Sequence, residues 1–388
     1  MSIRSISHLN LQNKKVFIRA DLNVPIDGST ISSTSRIDAS IPTIQYALDN
    51  ARVVILTSHL GRPKEGNFDN SLSLKPIVNY LEEKLNLKIM LHRYFEKGQS
   101  FESGMLHVLE NVRFNPGEKK CSDELSVKYA SIADVFVMDA FGTAHRAEAS
   151  TYGIGKYIGE KCAGLLFYDE VDALTKTFNQ PKKPMLAIVG GSKVSTKLSV
   201  LKNLVTRVDG LILGGGILNT FIAAQGFNIG KSLYEPDFVD EAKVILDEIK
   251  NRQIFFPTIE DVICAKEFDV NAHAELKKID DVESDDMIFD LGPKTLKYIT
   301  DHLSKVSTIM WNGPLGVFEF EQFSSGTEAL SHAIAGGEAF SLAGGGDTIA
   351  AIEKYKVCKK ISYISTAGGA FLEFAEGKKL PAIEMLEQ

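Results

Sequence analysis

A chain of 388 residues is long for one hydrophobic core, so two domains are expected. With 44% hydrophobic and 24% charged residues it has the composition of a globular protein, not of a disordered or fibrous one. A formal charge of −7 argues against a nucleic-acid binder, and no apolar run reaches bilayer length.

Residues 1–15 are polar and lack the apolar centre of a signal peptide. Cys121, Cys162, Cys264 and Cys358 form neither a CxxC pair nor a zinc pattern, which fits reduced thiols and a cytoplasmic location. Short apolar runs then alternate with amphipathic stretches. Strands are predicted at 16–19, 53–58, 106–109 and 135–139, and further on at 185–189, 211–213, 254–256, 287–291, 308–311, 340–343 and 361–365. Runs such as VVILTS and VFVMDA are apolar on both faces, as buried parallel strands are. Helices are predicted between them, for example over 122–133 and 236–250. This alternation predicts an α/β fold with right-handed crossovers. Residues 161–184 read as an interdomain helix that ends in the breaker Pro-Lys-Lys-Pro.

Open parallel sheets bind ligands at the carboxyl ends of their strands. In the first half those ends carry cations: RADLNVP at 19–25, SHLGRP at 58–63, Arg113 after the third run, and DAFGTAHRAEAS at 139–150. Eight of the ten arginines lie between Arg4 and Arg146. Arginine forks bind phosphate and carboxylate in bidentate fashion. The competing readings are a turn capped by Asp21 and Asn23, solvated arginines, and ion pairs within the domain. In the second half the strand ends carry glycine: GGSK, GGGILN, LGPKT, WNGPLG, GGGDT and STAGG. Glycine turns opening helices let amides approach phosphates. GGSKVSTK reads as a strand-to-helix turn with Lys193 and Lys197 on one helix face, a phosphate patch or a solvated one. Asp347 in GGGDT is either a helix cap or a carboxylate holding Mg²⁺ on nucleotide phosphates. Glu319 in WNGPLGVFE is either an acceptor for ribose hydroxyls or a surface charge. GFNIGKS at 226–232 has the wrong spacing for a P-loop, and neither a GxGxxG fingerprint nor a protein-kinase motif set is found.

Taken in order, RADLNVP, SHLGRP, LENVRF, DAFGTAHRA, GGSKVSTK, LGPKT, WNGPLGVFE, GGGDT and EGKKLP closely resemble the phosphoglycerate kinase family and span nearly the whole chain. The resemblance implies two Rossmann-like domains with parallel sheets in three αβα layers, joined by an interdomain helix with a cleft between them. It places a 3-phosphoglycerate domain at 1–165 plus the returning tail 376–388, a helix and linker at 166–184, and a nucleotide domain at 185–375. It implies substrate binding by Asp21, Asn23, Arg36, His59, Arg62, Arg113 and Arg146. Nucleotide binding falls to Lys197, Gly292, Asn312, Glu319, Gly344, Gly345, Gly346, Asp347 and Thr348, with Asp347 as the Mg²⁺ ligand. Arg36, Lys193 and Lys197 carry the catalytic load.

The implied reaction is reversible phosphoryl transfer from 1,3-bisphosphoglycerate to ADP, direct and in line on hinge closure, as in glycolysis and gluconeogenesis. Small-molecule substrates, a monomer, and no nucleic-acid or membrane partner are expected. Two rivals stand beside this reading: a nucleotide-dependent oxidoreductase on two Rossmann-like domains, and a non-catalytic binding protein that keeps the fold. The chain departs from the family pattern at Ala367, in place of a third glycine, and at Glu148, where many members have His or Gln. Ser192 replaces a common Ala, and FFPTIEDV differs from LPxDxV. A Cβ at 367 restricts φ and bears on that loop's backbone donors.

Overall fold

The computed structural model describes residues 3–28 and 30–387. Met1, Ser2, Ser29 and Gln388 lie outside the described residues, the first and last of them being the outer limits of the expected first domain. The chain divides into two compact units, Met1–Asp172 with Lys379–Gln388, and Ala173–Lys378.

The first unit contains β1 (Lys15–Ala20), a short hairpin β2 (Ile26–Asp27) and β3 (Thr30–Ile31), then β4 (Val53–Thr57), β5 (Ile89–His92), β6 (Leu106–Leu109), β7 (Val135–Asp139) and β8 (Glu160–Ala163). Its sheet runs β5-β6-β4-β1-β7-β8, parallel throughout. Every residue of β4, β6 and β7 is buried, because helices cover both faces of a parallel sheet. The helices are α1 (Ser35–Asn50), α2 (Lys75–Leu85), α3 (Asp123–Ala130) and the start of α4 (Leu165–Leu174).

The second unit is built from β9 (Met185–Gly190), α5 (Leu198–Leu204), β10 (Gly210–Gly214), α6 (Gly215–Ala224), α7 (Val239–Asn251), β11 (Asp261–Ala265), β12 (Glu275–Lys278), β13 (Met287–Leu291), α8 (Pro293–Leu303), β14 (Thr308–Asn312), α9 (Ser325–Gly336), β15 (Phe340–Gly344), α10 (Gly346–Lys354), β16 (Tyr363–Ser365) and α11 (Gly368–Ala375). The parallel sheet is β10-β9-β14-β15-β16. After α11 the chain returns to the first unit as α12 (Pro381–Glu387).

The α/β expectation holds for both main sheets, and three local readings change. The run at 287–291 is a strand, but it belongs to a separate antiparallel sheet, β12-β11-β13. The run at 254–256 contributes only a single bridge, Phe255 to Gly210, at the sheet edge. Within 161–184, residues 161–163 belong to strand β8, helix α4 covers only Leu165–Leu174, and a wider turn, Thr175–Asn179, follows it. No helix among the described residues is long and apolar enough to cross a membrane.

Candidate active site

In the first unit β6, β4, β1 and β7 are parallel neighbours, so their carboxyl ends open on one edge. That geometry collects residues far apart in sequence. Asp21 and Asn23 follow β1, His59 and Arg62 follow β4, Arg113 follows β6 and Arg146 follows β7. Arg36 reaches in from the first turn of α1. Its Nη1 donates to the Asn23 carbonyl at 3.1 Å and lies 3.4 Å from Asp21 Oδ2. Asn23 Oδ1 accepts the Gly61 amide at 2.9 Å and so ties the loop after β1 to the loop after β4. Arg113 Nη1 donates to the Gly61 carbonyl at 2.6 Å, and the loop after β6 is thereby bound to the same point. Asn111, fully buried, completes the tie by donating to Leu60 and Leu72 carbonyls at 2.7 and 3.0 Å. A side chain at Gly142 would collide with the Asp21 carboxylate, so the loop after β7 approaches only because that residue is glycine.

His59 is buried at the centre of these loops. Burial comes first, and the charges of Arg19, Arg113, Arg146 and Arg36 come next, in holding its imidazole far below the ordinary range. It is therefore neutral. Arg19 Nη2 lies 3.3 Å from His59 Nδ1, and a guanidinium only donates. Nδ1 is thus the acceptor and Nε2 carries the proton. Arg19 itself is fully buried and donates from Nε to Ser150 Oγ at 3.0 Å. Ser150 Oγ in turn donates to Glu118 at 2.5 Å. Arg19 is thus an internal strut and not one of the open cations. Arg62 and Arg146 are the more exposed pair, and Arg146 Nε donates to His145 Nε2 at 3.2 Å.

In the second unit the carboxyl ends of β9, β14 and β15 converge in the same way. Lys197 Nζ donates to the Gly190 carbonyl at 2.6 Å and to Asn312 Oδ1 at 2.6 Å. Asn312 Nδ2 donates to the Gly344 carbonyl at 2.7 Å. Thr348 Oγ1 accepts the Gly313 amide at 2.7 Å and donates to Gly344 at 2.9 Å. Lys197, Asn312, Gly344 and Thr348 are therefore one connected cluster. Burial pushes the Lys197 ammonium down to about 8, while the nearby Asp347 carboxylate opposes that shift. Asp347 is exposed on the first turn of α10, where Gly345 caps the helix at φ +100°.

The shared helix face expected for Lys193 and Lys197 is absent: α5 begins only at Leu198, and Lys197 is its cap. Residues 195–197 form a turn, in which Ser195 binds the Glu235 carboxylate at 2.6 and 2.7 Å and Lys197 folds back onto Gly190. Lys193 stands exposed before that turn. At Gly292 the α8 N-terminus is already occupied, since the Asp261 carboxylate accepts the Lys294 and Thr295 amides at 3.0 and 2.9 Å.

The glycine motifs GGGILN and WNGPLG border a cavity that the sequence did not reveal. An apolar cavity of about 310 Å³ is lined by Gly215, Gly216, Leu218, Leu233, Phe268, Phe289, Leu291, Leu315 and Val317. Gly215 sits at φ +62°, with its Cβ position 2.8 Å from the Gly191 carbonyl, so the cavity adjoins the turn that carries Lys197. Glu319 is exposed two residues beyond Val317. Ala367 takes φ −103°, an ordinary extended conformation, so its methyl group imposes no strain there.

The phosphoglycerate kinase family profile matches residues 6–378. Phosphoglycerate kinase of Francisella tularensis subsp. tularensis is 56% identical over 388 residues, covering 100% of this chain and 99% of the relative. That of Vibrio campbellii is 54% identical over 387 residues, with the same coverage. Among solved structures, phosphoglycerate kinase from Coxiella burnetii superposes with a TM-score of 0.97 at 49% identity, covering 100% of this chain and 99% of that one. The enzyme from Pyrococcus horikoshii gives 0.80 at 31% identity, covering 100% and 98%. None of these matches supports the oxidoreductase or the non-catalytic reading. Full-length identity above one half and a shared fold leave one conclusion: the chain belongs to the phosphoglycerate kinase family.

Proposed function

We propose that this chain is a phosphotransferase that moves a phosphoryl group reversibly between 1,3-bisphosphoglycerate and ADP, giving 3-phosphoglycerate and ATP. The observation that carries the reading is the pair of clusters at strand carboxyl ends, guanidinium groups around a neutral His59 in one unit and a desolvated Lys197 beside Asp347 in the other. Asp21, Asn23, Arg36, His59, Arg62, Arg113 and Arg146 take 3-phosphoglycerate. The neutral His59 serves as an Nε2–H donor, and the arginines neutralise phosphate and carboxylate. The apolar cavity takes the nucleotide base, Glu319 the ribose hydroxyls, and the loops at 190–197 and 344–348 the phosphates.

An exposed carboxylate at a helix N-terminus, within electrostatic range of Lys197, fits a cation that uses one carboxylate and phosphate oxygens. Asp347 would hold Mg²⁺, which when bound neutralises charge on the nucleotide phosphates. Transfer is direct and in line. The acceptor is a carboxylate, ionised at neutral pH with a reference pKa near 4, so no general base is required. Catalysis is positioning and charge neutralisation by Arg36, Lys193 and Lys197. The acidic balance fits small-molecule substrates better than nucleic acid, and the chain is proposed to be a cytoplasmic monomer acting in glycolysis and gluconeogenesis.

A coupled assay with 3-phosphoglycerate and MgATP tests the activity. Lys197→Ala is expected to lower turnover by about 10²–10³, the usual effect of removing one transition-state donor. Calorimetry should find 3-phosphoglycerate binding within about twofold of wild type. Equal losses in turnover and acid binding would contradict the role given to Lys197.

A further inference from the structure

Glu148 sits where an anion site would not be expected to keep a carboxylate. Its side chain is 7% exposed, and its Oε1 lies 3.7 Å from Arg113 Nη2 and 4.0 Å from Arg146 Nη1. Both distances exceed hydrogen-bond reach, so the carboxylate acts on the two guanidinium groups through charge and does not orient them. Its Oε2 is buried and, like Arg113 Nε, has no hydrogen-bond partner among the described residues. The turn around it does not depend on the side chain. The Glu148 carbonyl accepts the Thr151, Tyr152 and Gly153 amides at 3.3, 2.9 and 3.1 Å.

We propose that Glu148 is an affinity-setting residue: a built-in counter-anion that competes with the substrate phosphate for Arg113 and Arg146. The proposal rests on the assignment of those arginines to 3-phosphoglycerate. A buried negative charge beside two cations lowers the positive potential that a phosphate dianion meets, and low local dielectric keeps that effect large. Phosphate binds against this charge and leaves with its help. The same charge raises the threshold at which inorganic anions occupy the site.

The test is equilibrium titration of the full chain with 3-phosphoglycerate, and separately with inorganic sulfate. Glu148→Gln keeps the shape and removes the charge, and Glu148→Ala is the second variant should the amide disturb folding. The expected result is a Kd for 3-phosphoglycerate about tenfold lower than wild type, with sulfate binding tightened as well and MgATP binding unmoved. An unchanged or weaker Kd for 3-phosphoglycerate in the folded variants overturns the proposal, because Glu148 would then be holding the arginines in place. Arg146→Ala, measured alongside, separates the two layers. If it leaves the Kd for 3-phosphoglycerate unaltered, the phosphate assignment itself fails, whatever Glu148→Gln does.

Discussion

Glu118 shows how far a residue's role depends on neighbours that its own position does not announce. It is fully buried, and burial drives its carboxyl up from 4.5 to about 7, against the hydrogen bonds from Ser150 and the charge of Arg19. Through Ser150 and Arg19 it ends the strut that sets the His59 tautomer. A raised acid pKa means that the native state holds the proton longer than the unfolded chain. Its stabilising contribution is full below about pH 4.5 and is lost as pH rises through about 7. Glu118→Gln cannot titrate. The wild type is therefore expected to lose roughly 3 kcal/mol relative to this variant between those limits, since a tenfold change in proton affinity corresponds to ~1.36 kcal/mol. Urea unfolding at a series of pH values measures it, and a pH-independent difference would refute the assignment. The sequence displayed the charges of this region but not their pairing. His59 and Arg146 stood out because they lie on strand-end loops, whereas Arg36, on the first turn of α1, was named only through the family resemblance. Arg19, read with the same loop, proved to be an internal support, since only the fold brings Ser150 and Glu118 against it.

At the scale of the element, turns decide the site proposed for the nucleotide. Gly345 and Gly346 are adjacent, yet they impose different constraints. Gly345 has φ +100°, and a Cβ there would come 2.7 Å from Asn312 Nδ2, the group that ties β14 to β15. Gly346 shows no left-handed φ and has open space around its Cβ position. Gly345→Ala is expected to cost about 1–3 kcal/mol of stability through backbone strain, and more through the displaced Asn312. It should also weaken MgATP binding at least tenfold, because Asn312 holds Lys197. Gly346→Ala is expected to leave thermal stability near wild type. Equal melting temperatures for the two variants would show that strain at 345 is not what the glycine relieves. The same scale explains which elements the sequence revealed. β4, β6 and β7 were plain because they are largely apolar runs buried on both faces. β5 and β8 at the sheet edges are half exposed, and β12 is largely exposed, so their patterns merge with loops. The glycine-lysine turn before α5 was misread as helix because its spacing fits one, while its hydrogen bonds run to Glu235 and Gly190 instead.

The whole molecule is two units from one chain, and the first of them is discontinuous in sequence. Its last ten residues, 379–388, come after the entire second unit. Leu380, Ala382, Ile383 and Met385 are all buried, the Ala382 amide donates to Ala144 at 3.1 Å, and Gly155 leaves room for Met385. Ala144 is two residues before Arg146, so the tail supports the loop that carries an arginine proposed to bind substrate. Ending the chain after Lys378 would expose these side chains, each worth up to about 1.5–3 kcal/mol of burial for the larger ones. The first unit should then unfold several kcal/mol more easily, and 3-phosphoglycerate binding should weaken. The second unit has its own reporter, because the chain's one tryptophan, Trp311, is buried in β14. Fluorescence of Trp311 during urea unfolding is expected to keep its midpoint in the truncated chain, while the far-ultraviolet circular dichroism signal develops an earlier phase. If the tryptophan midpoint moves as far as that earlier phase, the two units unfold as one and the tail stabilises both. Unaltered substrate binding and a single unchanged transition would mean instead that α12 contributes nothing to the loop before Arg146.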